Sequence, residues 1–229
     1  MYRSLTRGWL LCLLLLLLNA CATVEKSDVS FSDREKLEQW RRYQSELATI
    51  SSWRLRGKMG VKTGPKGGSA TLKWQYSPEQ QRIELYGPFG GGRVIIAVDD
   101  QGAVLRDTKG EEIRGNTASE VLYQRLGWQV PFDHLSDWAR GLPSEGASDI
   151  VIDRQGRLKQ MVQGNWEVKY QDYQPVPSAI EGLMLPTRLD ISALPGTMEI
   201  YSDQGDYLGD QLNVKIILKR WWEIQLDRS

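Results

Sequence analysis

The sequence predicts a mainly β, α+β fold: one long antiparallel sheet of roughly ten strands with a short helical segment inserted into it. Three observations carry that expectation. Apolar and polar residues alternate with a period of two through most of the 229 residues, turn-forming residues separate the alternating stretches, and two capping boxes mark where the period becomes helical. An antiparallel sheet this long tends to curl towards a barrel, which limits its exposed edges. The helices then have one natural place, against the concave face or its mouth.

The chain begins with a segment outside that fold. Arg3 and Arg7 precede an apolar run from Trp9 to Leu18, and small residues close it. A basic start, a short apolar stretch and a small-residue exit describe an export signal. As a helix, ten residues rise only about 15 Å, too little to span a hydrocarbon layer of roughly 30 Å. No later segment is long enough either. Leu18-Asn19-Ala20-Cys21 resembles the bacterial lipobox, in which the Cys thiol is lipidated and becomes the mature N-terminus. That pattern places more than one acyl chain on Cys21, above the single-chain limit at which anchoring is marginal. Ala22 and Thr23 follow, without the Asp that would resemble an inner-membrane retention signal. The expected organisation is a lipoprotein signal peptide over 1–20, a lipidated N-terminus and tether over 21–31, and a single domain over 32–229.

Within the domain, Ser32-x-x-Glu35 is a capping box, and Leu37, Trp40, Leu47 and Ile50 continue at helical spacing, predicting a helix over about 33–50. The period then becomes two. Trp53, Leu55, Gly57, Met59 and Val61 alternate with Arg54, Arg56, Lys58 and Gly60. Ala70, Leu72, Trp74 and Tyr76 alternate with Thr71, Lys73 and Gln75, and Ile83 and Leu85 alternate with Arg82, Glu84 and Tyr86. Each reads as an antiparallel strand with one wet and one apolar face. Residues 94–98 and 103–106 form another pair about Asp99-Asp-Gln-Gly102. Thr117-x-x-Glu120 is the second capping box, ended by Gly127, and Asp133 is placed to cap a short helix through Leu135 and Trp138, stopped by Gly141 and Pro143. Strands resume at about 149–153, 157–163 and 166–173, then 185–193, 197–202 and 212–219.

Composition removes several functions. The chain carries 29 Lys+Arg against 29 Asp+Glu, so it lacks the basic excess that nucleic-acid binding uses to displace counterions. One His and two Cys leave little for a metal site or a His-dependent nucleophile, so no metal, cofactor or catalytic residue is expected. His134 has no Ser in a Gly-x-Ser-x-Gly setting, and no phosphate loop of the G-x-x-x-x-G-K-[S/T] kind occurs. Cys12 leaves with the signal and Cys21 is modified, so no disulfide can form.

Several stretches resemble one family. Trp53-x-Leu-x-Gly-Lys58, Leu72-x-Trp-Gln75, Leu85-Tyr-Gly-Pro-Phe-Gly90, Gly127-Trp128-x-x-Pro131, Leu135-x-x-Trp138 with Gly141-Leu-Pro143, Asn165-Trp-Glu-Val-Lys-Tyr170, Leu185-Pro186 and Trp221 run in order across about 50–222. Together with the lipobox they are similar to the LolB family. Asp203–Gln211 looks like an insertion, and the tail after Trp221 has no clear counterpart. The resemblance implies an incomplete antiparallel β-barrel with a helical lid over an apolar cavity for acyl chains. It also implies an outer-membrane lipoprotein of a Gram-negative bacterium, lipid-anchored and facing the periplasm. Such a protein accepts lipoproteins from a LolA-like periplasmic carrier and inserts them into outer-membrane phospholipid, as a non-enzymatic monomer.

Two sets of residues are candidates for that work. The apolar strand face of Trp53, Leu55, Met59, Leu72, Trp74, Ile83 and Leu85 is either packed core or the wall of an acyl-chain cavity; alternation fits both. The loop Gly87-Pro88-Phe89-Gly90-Gly91-Gly92 is a hairpin by its Pro and Gly content, yet a Phe at the tip suits shallow insertion into a bilayer. Pro88, Phe89 and Gly90 are therefore candidates for a membrane-insertion loop. Arg54, Arg56 and Lys58 form a basic stripe, either solvated or facing an acidic rim on a carrier. The alternative to lipoprotein acceptance is a structural outer-membrane lipoprotein scaffold with a filled core.

Overall fold

Strand β1 (Ile50–Thr63) sets the architecture. Its alternate side chains Trp53, Leu55, Met59 and Val61 are buried, while Arg56, Lys58 and Lys62 are exposed, so one face of the strand belongs to the core and the other to water. The computed structural model describes residues 31–64, 66–87, 92–201, 205 and 207–227. Glu35–Ser229 form one unit; of the preceding unit, Met1–Arg34, the described part is residues 31–34.

The remaining strands are β2 (Lys66–Tyr76), β3 (Gln81–Gly87), β4 (Gly92–Asp99), β5 (Gly102–Asp107), β6 (Glu112–Gly115), β7 (Ala147–Ile152), β8 (Leu158–Gln163), β9 (Trp166–Tyr170), β10 (Tyr173–Pro175), β11 (Met184–Pro186), β12 (Arg188–Ala193), β13 (Ile200–Tyr201), β14 (Tyr207–Gly209) and β15 (Leu212–Leu226). Eleven of them form one antiparallel sheet in the order β6-β5-β4-β3-β2-β1-β15-β12-β9-β8-β7. The end strands β6 and β7 do not pair with each other, so the barrel is incomplete. Two small hairpins, β10–β11 and β13–β14, stand outside it.

The first half of the sheet is a meander of consecutive hairpins, each joined by local turn chemistry. In the β4–β5 turn, the Asp99 carboxylate accepts from Gln101 N–H at 2.9 Å, and Gly102 takes a positive φ of 124°. The C-terminal strand β15 then inserts between β1 and β12, pairing Leu55 with Trp221 and Ile50 with Leu226. The tail after Trp221 therefore completes the sheet beside the start of β1. Arg56 pairs with Arg220 and Gly57 with Leu218, leaving Lys219 as the extra residue of a bulge. Gly57 is needed there because a Cβ would lie 2.2 Å from the Ile217 carbonyl oxygen.

Three helices complete the described chain: α1 (Phe31–Ala48), α2 (Ala118–Leu126) and α3 (Phe132–Arg140). Helix α1 starts before Ser32, which thus lies inside it and not at its cap, and ends at Ala48 because Ile50 already begins β1. Trp40, Tyr43 and Leu47 are buried on its core side, whereas Leu37 is exposed. Helix α2 begins as its capping box predicts, with Thr117 Oγ1 accepting from Glu120 N–H at 3.2 Å, and ends at Gly127 with φ 68°. Helix α3 is not capped by Asp133. Pro131 precedes it without a side-chain cap, and Asp133 instead accepts from the Ser119 hydroxyl at 2.7 Å, joining α2 to α3. The stop at Gly141, φ 87°, stands.

The sequence reading missed β6 and β14. It also merged β9 with β10 and β11 with β12, because the two residues and the one residue between them leave little gap in the alternation. The stretch 203–211 contains β14 among its described residues. No helix among the described residues is long and apolar enough to cross a membrane.

Candidate functional site

The seven strand residues singled out by alternation share the inner face of β1, β2 and β3, and each is 0–1% exposed. Register assembles them into rows. One row runs Trp221–Leu55–Trp74–Ile83–Ile96–Leu105–Ile113 across β15, β1, β2, β3, β4, β5 and β6. The next runs Leu218–Gly57–Leu72–Leu85–Val94. Directly opposed apolar side chains are the unit by which a sheet stabilises itself. The result is a continuous apolar surface, and it is packed. Between core and cavity wall, which alternation left open, the described conformation shows core.

Two helices cover this surface. Ala118, Val121 and Leu122 of α2 are buried, as are Phe132, Leu135 and Trp138 of α3. Phe132 meets Trp74 edge-on at 5.9 Å, which seats the start of α3 on the apolar row. Where α2 lies over the end of β5, Arg125 Nη2 donates to the Asp107 carboxylate at 2.6 Å. That hydrogen bond is the largest influence on Asp107 and holds its carboxyl below the usual carboxylate range, with further help from the Glu111 and Lys109 N–H groups.

Helix α3 is tied down by two polar groups that the sequence reading did not identify. Gln163 on β8 accepts from Trp138 Nε1 at 2.9 Å and from Ser144 N–H at 3.1 Å, and donates to the Glu145 carbonyl at 3.2 Å. Arg140 donates to the Ile50 carbonyl at 3.0 Å and to Asp137 at 2.6 Å, fixing the helix C-terminus to the start of β1. In the sequence Arg140 resembles any cation in a last helical turn; only the fold reveals that it is 7% exposed. A third missed feature lies beside α1. Burial pushes the Tyr170 and Tyr173 phenols well above their ordinary range, with nearby Tyr43 acting in the same direction.

The outer face of the same strands has the opposite character. Arg220, Arg56 and Lys73 lie directly opposite one another across β15, β1 and β2, followed by Glu84 on β3. Glu84 is engaged by Arg82 at 2.7 Å, Arg93 at 2.9 Å and the Tyr86 hydroxyl. Burial works to raise its carboxyl, and these partners together bring it below the usual range. Arg56, Lys73, Arg82, Arg220 and Trp222 border a groove of about 370 Å³. The basic stripe is thus wider than Arg54, Arg56 and Lys58, and Arg54 is paired with Glu223 at 2.9 Å. His134 is exposed and stacks on the Trp138 ring at 5.6 Å.

Cys21, Pro88, Phe89 and Gly90 lie outside the described residues. The hairpin stem is described up to the Gly87–Gly92 pair, which closes β3 and β4, with Gly87 at φ 131°.

The family described as "Outer membrane lipoprotein LolB" matches residues 51–221. Among similar proteins, the outer-membrane lipoprotein LolB of Chromohalobacter salexigens is 34% identical over 184 residues, covering 80% of this chain and 82% of that one. The outer-membrane lipoprotein LolB of Pseudomonas putida KT2440 is 30% identical over 220 residues, covering 93% and 94%. A solved LolA superfamily protein from Nitrosomonas europaea aligns over 85% of this chain and 94% of that one, at 13% identity and a TM-score of 0.46.

Proposed function

The chain belongs to the LolB family of outer-membrane lipoproteins, and from that premise we propose that it receives lipoproteins by binding their acyl chains against the inner sheet face. The donor is a LolA-like periplasmic carrier, and the recipient is the inner leaflet of the outer membrane. No nucleotide is hydrolysed and no bond is made. The single observation that carries this reading is the unbroken apolar row from Trp221 to Ile113, with buried side chains of the short helices α2 and α3 packed in the same core. Each buried CH₂ of an acyl chain contributes about 0.8 kcal/mol, so one chain held there gains on the order of 10 kcal/mol. That is enough to keep it out of water and comparable with what the bilayer returns. Transfer then follows relative affinity alone.

In this reading the packed face is the closed state, and a chain enters by displacing helical cover. Helix α3 is anchored in the interior by Gln163 and Arg140, whereas α2 is held by three buried side chains, the Arg125–Asp107 ion pair and the exposed Ser119–Asp133 hydrogen bond. Helix α2 is therefore the part that yields. Lipidated Cys21 keeps the domain at the membrane, facing the periplasm, and Phe89 commits cargo to the bilayer. Replacing Phe89 with Glu is expected to leave carrier-to-receptor transfer intact and to slow insertion into liposomes. Unchanged insertion would remove Phe89 from the mechanism. A filled inner face also serves a structural scaffold, and that reading predicts no transfer at either step.

A further inference from the structure

Four tryptophans belonging to or facing the inner sheet are almost entirely buried: Trp53, Trp74, Trp138 and Trp221, all 0–2% exposed. Two of them have acceptors for their indole N–H. Trp74 donates to Gln81 Oε1 at 3.3 Å and Trp138 to Gln163 Oε1 at 2.9 Å. The other two, Trp53 and Trp221, have no acceptor among the described residues, although both Nε1 atoms are buried. Buried N–H groups in folded proteins are overwhelmingly partnered, because an unpartnered one has lost its hydration for nothing. If these sites needed only aromatic bulk, Phe would supply it without stranding a donor.

The two stranded donors are neighbours. Trp53 on β1 and Trp221 on β15 meet edge-on with ring centroids 5.1 Å apart. Trp53 is held in place by stacking on Tyr76 at 5.2 Å and 11°, and by the edge of Trp74 at 5.0 Å. It also borders a cleft of about 350 Å³ at the rim, together with Ser52, Tyr76, Gln81 and Gln225. Trp53 therefore reaches a cleft whose walls also carry Arg54, Arg82, Asp99 and Glu223, while Trp221 lies against the Trp53 ring without lining it.

The chemistry of a fitting partner is narrow. It must accept hydrogen bonds, because both protein groups donate. It must be uncharged, since a carboxylate among these rings would meet a large desolvation cost. It must bring apolar bulk to match the row that begins at Trp221. We propose that Trp53 and Trp221 form a subsite for the ester carbonyls of acylated cargo, the two adjacent donors serving the two esters of one diacylglyceryl group. This deepens the acyl-chain reading above and rests on it. The subsite places the glyceryl end of the lipid at the rim and directs the chains along the inner face.

The test uses the mature chain carrying Cys21→Ala and measures competition with a bound fluorescent fatty-acid probe. The competitors are 1,2-dipalmitoylglycerol and its dihexadecyl ether analogue, which has the same chains but no carbonyls. The expected result is a diester preference of about tenfold, the worth of roughly one hydrogen bond. In Trp53→Phe and Trp221→Phe the ratio of diester to diether affinity falls several-fold, whatever the change in affinity for the chains themselves. Equal affinity for diester and diether in the unmutated chain overturns the subsite and needs no variant to fold. A preference that survives the double Phe variant overturns it as well. If neither lipid displaces the probe, and the probe itself does not bind, the acyl-chain reading falls together with the subsite.

Discussion

Leu55 and Arg56 are consecutive residues, and each heads a row across the same strands. The row through Leu55 is apolar from β15 to β6, and Leu55 is 0% exposed. The row through Arg56 sets three cations face to face on β15, β1 and β2 before reaching Glu84. Like charges directly opposite one another weaken a sheet, typically by a few tenths of a kcal/mol each. The inner row is thus what holds the sheet together, and the outer row is a small cost the inner row absorbs. The difference teaches that stability and surface character are written into alternate residues of one strand, and that a change on one face should leave the other untouched.

The largest expected effect comes from breaking the inner row. Leu55→Ala removes a fully buried side chain between Trp221 and Trp74, and unfolding by denaturant should show a loss of about 2–5 kcal/mol. A loss below about 1 kcal/mol would mean that the row is loosely packed and already close to an open cavity.

The next effect sharpens what covers the row. Asp107 is ionised more easily in the folded chain than in the unfolded one, because Arg125 hydrogen-bonds its carboxylate. A depressed carboxyl contributes stability that is complete above its unfolded value, near 4, and is lost as pH falls through the lower folded value. Asp107→Asn should therefore be less stable than the parent at pH 7, with faster amide exchange in α2, and the gap should close towards pH 2. An equal gap at both pH values would show that the ion pair is not what seats the helix.

The smallest effect lies on the outer row. Arg56→Gln relieves repulsion with Arg220 and Lys73 and should leave thermal stability unchanged or raise it by less than about 1 kcal/mol. A marked loss would show that the two faces are coupled.

Much of this architecture was legible in the sequence, for an identifiable reason. Period-two alternation places Leu55, Trp74 and Ile83 on one face, and turn residues separate their strands, so the first meander could be read directly. The capping box at Thr117 was equally plain. Long-range pairing was not: β15 inserts between β1 and β12, and no local pattern says which distant strand completes a sheet. Asp133 misled because a capping residue had a competing partner in Ser119. Gln163 and Arg140 were invisible because their roles depend on burial, and burial of a polar side chain follows from the fold alone. The inner face was found, but alternation could not distinguish a packed core from a ligand wall, since both require the same side chains.

The central claim is that lipid chains bind along the inner face, and quenching by a brominated fatty acid tests it most directly. Bromine quenches indole emission on contact. With the mature chain carrying Cys21→Ala, saturating binding of a chain brominated near its middle should strongly reduce the blue-shifted emission of the buried tryptophans. The half-exposed Trp222 of the outer groove, removed by Trp222→Phe, should make no difference to that quenching. Binding that leaves the buried emission intact, or quenching that disappears with Trp222, would place the lipid elsewhere and contradict the account.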